Sequence, residues 1–74
     1  MKDEIKEPEH YTSGKIECIE AIEAATIGLT PIEAFKTGNA IKYLWRWKKK
    51  GTPIKDLEKA KAYIDMLIKD ASNG

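Results

Sequence analysis

Few residues in this chain could do chemistry, and most of them sit on one stretch. Between Asn39 and Lys50, steps of three and four residues bring Asn39, Lys42, Tyr43, Arg46, Lys49 and Lys50 along one side of a helix. Ammonium and guanidinium groups one turn apart hold phosphate oxygens, rings offer stacking faces, and an amide reads a base edge or a ribose hydroxyl. The plainer reading of the same pattern is a core helix with a solvated basic flank, and position alone does not separate the two. Earlier in the chain, the sole histidine, His10, adjoins Tyr11. Both rings could stack on a nucleobase or hydrogen-bond a phosphate, although Tyr11 could equally lie across the helices as a lid.

A second constellation is acidic. Glu17, Glu20 and Glu23 repeat every third residue, which on one helix could supply carboxylates to Mg²⁺. As a structural feature it is a solvated acidic face, favoured near a helix N-terminus. A hydrolase of that kind needs a second, facing acidic pair, and the later acids do not supply one at matching spacing. The chain has no G-x-x-x-x-G-K-[ST] loop and no serine nucleophile elbow, and its lone Cys18 and lone His10 cannot make a structural zinc site. Binding is favoured over catalysis, with no catalytic residue, metal site or cofactor expected.

These groups need elements to carry them, and the punctuation is clear. Thr30, Pro31 and Glu33 form a capping box with proline at the first helical position, and Gly51 suits the left-handed conformation past a last turn. A helix is expected over 30–50, with Ile32, Phe35, Ala40, Ile41, Leu44 and the edge residue Trp47 on or near its apolar side. Gly38 interrupts it at a cost of about 1 kcal/mol relative to alanine, which marks either close approach of a neighbour or simple tolerance. Residues 1–14 show no helical period and read as an extended arm. A first helix is expected over 15–27, capped near Ser13 or Gly14, with Ile16, Ile19, Ile22 and Ala25, and Cys18 as a further candidate, on its apolar side. Thr52–Pro53 repeats the cap-then-proline signal and opens a helix over 53–71, whose stripe is Ile54, Leu57, Ala60 or Lys61, Ile64, Leu67, Ile68 and Ala71. The fold class is all-α: a small three-helix domain with an extended N-terminal arm.

Seventy-four residues make a single domain over 1–74. A chain this short buries only about 60% of its unfolded surface. With one cysteine no internal disulfide can help, so a homo-oligomer, dimer or tetramer, is expected. The single thiol suits a reducing cytoplasm. A net charge of +1 hides an asymmetry, with acids crowding the first third and bases crowding Lys42 to Lys50. That argues for a local positive patch rather than a general polyanion binder. No apolar run reaches 18 residues and no basic-then-apolar leader opens the chain, so neither membrane insertion nor secretion is expected.

The runs PEHY, GKIECIE, FKTGNAIKYLWRWKKKG and DLEKAKAYI together resemble the SaV-like family of small bacteriophage proteins, over roughly residues 8–68. The resemblance implies a phage-encoded cytoplasmic protein in a family of unknown function. Some members carry a nucleotide-kinase label through a longer protein containing the domain. It implies nucleotide handling, and it maps onto His10, Tyr11, Asn39, Lys42, Tyr43 and Arg46 as candidate ligand-binding residues, with Trp45 and Trp47 as core or interface. The leading expectation is a non-enzymatic nucleotide-binding oligomer with pockets between subunits, a sponge that sequesters cyclic oligonucleotide signals of host immunity. Three alternatives stay open: a nucleoside monophosphate kinase or other Mg²⁺-dependent nucleotide-processing enzyme, a single-stranded nucleic-acid binder, and an inhibitor of a host protein.

Overall fold

The computed structural model describes the backbone of residues 12–13 and 15–73, and the side chains of residues 15–73. The expected arm and the candidates His10 and Tyr11 lie outside the described residues. Chain order is β1 (Thr12–Ser13), β2 (Ile16–Glu17), α1 (Cys18–Ala25), α2 (Pro31–Arg46) and α3 (Pro53–Asn73). The described residues are therefore mostly helical, in three helices.

The start of the first helix differs from the periodicity. β1 and β2 pair antiparallel, Thr12 opposite Glu17 and Ser13 opposite Ile16. Ile16 and Glu17 are held by that ladder and α1 begins only at Cys18. Its cap is Glu17, whose backbone N–H donates to Glu20 Oε1 at 2.9 Å. One of the three spaced glutamates is thus the reciprocal half of a cap. At the other end, the backbone of Gly28 has φ +86°, a left-handed turn that a glycine adopts without strain.

α2 opens on the expected capping box. Glu33 N–H donates to Thr30 Oγ1 at 3.3 Å, and Thr30 N–H donates to Glu33 Oε1 at 2.9 Å. The helix ends at Arg46, whose carbonyl accepts from the N–H groups of Lys49 and Lys50 at 2.9 and 3.2 Å. Gly51, at φ +101°, then reverses the chain. α3 starts at Pro53, with Asp56 N–H donating to the Thr52 carbonyl at 3.0 Å.

α2 and α3 pack as an antiparallel hairpin, tied near its open end by Lys36 Nζ to Asp70 Oδ2 at 2.6 Å and near its turn by Arg46 to Asp56. α1 leans on α2 where Gly38 lies. A Cβ built there would come within 3.2 Å of Ile22 Cγ2, so the glycine marks a close approach between two helices. The face that α3 turns toward α2 carries Asp56, Ala60 and Tyr63, and Asp56 is the largest fully buried side chain. The richest apolar stripe of α3 points elsewhere: Ile54 is 67% exposed and Ile68 57% exposed.

Candidate functional site

Two sequence features converge on the α2–α3 surface. Lys42, Tyr43 and Arg46 are neighbours on α2 at three- and four-residue steps, and Lys59 and Tyr63 are one turn apart on α3. Tyr43 and Tyr63 stack across the hairpin, with centroids 6.2 Å apart and planes inclined by 14°. Phe35 extends the ladder, meeting Tyr63 edge-on at 6.0 Å and 77°, a geometry that sets a positive ring edge against a negative face.

Cations collect around the first ring. Lys42 Nζ lies 4.8 Å from the Tyr43 centroid, Arg46 Cζ 4.9 Å and Lys59 Nζ 5.4 Å. Each is within reach of the ring quadrupole. Arg46 differs from the two lysines. It is buried, with Nε 3.3 Å from Asp56 Oδ2 and Nη2 3.4 Å from Asp56 Oδ1. Asp56 thus compensates one of the three charges, and neither lysine forms an ion pair among the described residues. The patch has a net surplus of positive charge among the described residues, beside two half-buried tyrosine rings.

Of the candidates named by sequence, the hairpin brings Lys42, Tyr43 and Arg46 together. Asn39 stands one turn before Tyr43, but its amide Nδ2 donates to the Phe35 carbonyl at 2.8 Å, which leaves its Oδ1 as the readable edge. Trp45 is partly covered, and its Nε1 is buried with no hydrogen-bond partner among the described residues. Trp47 is half-buried and carries Lys48 Nζ 5.8 Å from its ring.

Sequence reasoning missed Lys59, Tyr63 and Asp56. Their signal was present: 56, 59 and 63 follow three- and four-residue steps on α3 and define a polar-aromatic face. The eye goes instead to the isoleucines of the same helix. A separate groove lined by Leu29, Glu33, Thr37, Leu67, Asp70 and Ala71 carries two carboxylates and no surplus cation, so it lacks the charge to hold an anion. Among the described residues no group of three or more His, Cys, Asp or Glu is placed to hold a metal ion, and no helix is long and apolar enough to cross a membrane.

Residues 5–65 match the model of DUF3310, a family of proteins of unknown function, and the chain belongs to that family. No curated protein and no solved structure matches it.

Proposed function

We propose that the chain is a non-enzymatic nucleotide-binding protein whose anion site is the Lys42–Tyr43–Lys59–Tyr63 patch. One observation carries this reading: three cations meet at one tyrosine ring and only one of them has a carboxylate partner among the described residues. A phosphate oxygen placed there gains charge-assisted hydrogen bonds from both lysines, and a base gains the exposed side of the tyrosine ladder. Arg46 acts one layer deeper, holding Tyr43 from beneath while Asp56 holds it. Asn39 offers its free oxygen to a base or sugar edge. His10 and Tyr11 stay candidates by sequence alone, outside the described residues.

The patch on one protomer is a surface, whereas nucleotide sites are concave. An oligomer supplies the missing wall, so the proposed pocket lies between subunits. With the phage context that the SaV-like resemblance suggests, the reading becomes sequestration of cyclic oligonucleotide signals, in which occupancy rather than turnover is the effect.

Titration calorimetry with mononucleotides, cyclic dinucleotides and cyclic trinucleotides tests this, each ligand being recovered afterwards for chromatography. The expected result is saturable binding with ligand recovered intact. Lys42→Ala and Lys59→Ala should each weaken it about tenfold or more, since a hydrogen bond to a charged group contributes about 1.5–3 kcal/mol. Binding that both variants leave unchanged would remove the patch from the site. Affinity that grows with strand length and collapses with salt would assign the same face to single-stranded nucleic acid instead.

A further inference from the structure

The largest unexplained feature is the outer face of α3. Ile54, Leu57, Lys61, Ile64, Ile68 and Ala71 are separated by three, four, three, four and three residues. That is the a/d repeat of a left-handed helix pair, sustained along almost the whole of α3 (Pro53–Asn73). None of these six side chains is buried: Ile54 is 67%, Ile64 39% and Ile68 57% exposed. The helix meets α2 through a different set, Asp56, Ala60 and Tyr63. α3 therefore carries two contact faces, one satisfied within the protomer and one left open.

We infer that the open seam is the two-fold interface of a homodimer, in which α3 pairs antiparallel with α3 of a second copy. Charge and register choose the occupant and its direction. Lys61 is the one charged residue in the seam, and its Nζ is 3.1 Å from Asp65 Oδ2 on the same helix. A parallel pair sets Lys61 level with the partner's Lys61, two ammonium groups at one layer of an apolar seam. An antiparallel pair centred between residues 62 and 63 sets Lys61 against the partner's Ile64, and each Lys61 then lies next to the partner's Asp65 as well as its own. The same register places Leu57 opposite the partner's Ile68. It also sets the protruding Ile54 against the partner's small Ala71. A single polar residue at such a position selects register at some cost in stability. The copy's own sequence thus supplies both the apolar complement and the counter-charge.

The seam is short, about two and a half heptads, and does not stand as an isolated coiled coil. Here each α3 is already braced by α2, so the pairing joins two helical hairpins into a four-helix arrangement. Lys59 lies roughly half a turn round α3 from the middle of the seam, at 3.6 residues per turn. Each patch therefore stays uncovered in this dimer, and closing it with another protomer requires a second contact and yields a tetramer. The seam does not depend on the nucleotide-binding reading.

Sedimentation equilibrium of the full chain tests the proposal, and the expected species is a dimer or a multiple of it. Ile64→Glu and Ile68→Glu, each at an exposed position of the free protomer, should raise the dissociation constant at least a hundredfold with the helical circular dichroism retained, because each buries a charge in the seam. Direction is read by cysteine cross-linking, with the buried Cys18 left in place. Ile54→Cys protein should not form a disulfide with itself, since antiparallel pairing separates the two positions by about 26 Å. Mixed with Ala71→Cys protein, it should form a heterodimeric disulfide. A monomeric wild type, or an assembly indifferent to both glutamate variants, would overturn the seam. Self-cross-linking of Ile54→Cys would overturn the antiparallel pairing.

Discussion

Removing the carboxylate of Asp56 should reveal what Arg46 is for. The pair is nearly dry: Asp56 is 1% exposed and Arg46 8%. Their contacts, at 3.3 and 3.4 Å, bind the first turn of α3 to the last turn of α2. Deleting the carboxylate takes the Asp56 counter-charge from a buried guanidinium, a change that costs about 3–5 kcal/mol in buried pairs. A chain of this length has a total stability of only about 4–11 kcal/mol at 0.05–0.15 kcal/mol per residue. Asp56→Ala should therefore bring the protein close to unfolding, with Tm falling by at least about 12 °C at 4–8 °C per kcal/mol. Removing both charges behaves differently. Arg46→Met with Asp56→Leu replaces the pair by apolar groups and should lie within about 2 kcal/mol of wild type, on either side. Urea denaturation of wild type, Arg46→Met, Asp56→Leu and the double variant closes the cycle. Expected is a coupling of 2 kcal/mol or more between the two positions. A loss under about 1 kcal/mol for Asp56→Ala would refute the reasoning, because Arg46 would then be solvated and available to a ligand as a surface cation. For the same reason Arg46→Ala is a poor probe of binding: it removes a buried bridge together with any contact to an anion.

Three further substitutions address other parts of the molecule. Tyr43→Phe should retain nucleotide affinity in calorimetry, whereas Tyr43→Leu should lose about 1–3 kcal/mol, the stacking contribution of one ring; equal affinities would take the ring out of the site. Gly38→Leu should lower stability by more than 1 kcal/mol in urea denaturation, since even a Cβ meets Ile22 at 3.2 Å. Gly38→Ala should stay within about 1 kcal/mol of wild type, because helix propensity offsets the crowding. A stabilising Gly38→Leu would mean that α1 does not pack there. Trp45→Phe removes an indole N–H that is buried without a partner, and an orphan donor costs about 1–3 kcal/mol. Thermal unfolding should show little loss or a gain, and a drop above about 10 °C would mean that the N–H is hydrogen-bonded.

What was legible in the sequence followed from local chemistry. Thr30 with Glu33, Thr52 with Pro53, and Gly51 announce helix ends, the first through side-chain hydrogen bonds, the second through proline at the first helical position and the last through its left-handed φ. The start of α1 was not legible, because Ile16 and Glu17 are claimed by pairing with residues 12 and 13, a contact outside any helical period. From the sequence Asp56 is only an acid in the first turn of α3, and its partner Arg46 lies ten positions back on a different element. The patch was half legible: Lys42, Tyr43 and Arg46 share one helix and can be counted from the sequence, while Lys59 and Tyr63 join them only once the hairpin closes.

The most instructive difference concerns α3, where periodicity identified an apolar face correctly and packing within the protomer used another. Hydrophobic spacing reports how much surface a helix must hide, and says nothing of which chain will hide it. In a longer protein the two coincide, because a core large enough to cover every stripe exists. Here the buried apolar set among the described residues is Cys18, Ala40 and Ala60, all small residues. The bulky side chains Ile54, Ile64 and Ile68 remain at the surface. Fully covering such a side chain contributes roughly 1.5–3 kcal/mol, so three that are 67%, 39% and 57% exposed forfeit roughly 2–5 kcal/mol between them. That sum is comparable to the lower end of the stability of a domain this size. A lone protomer therefore leaves part of its apolar burial unused, and the a/d spacing of those residues is the geometry that the proposed pairing with a second copy would use.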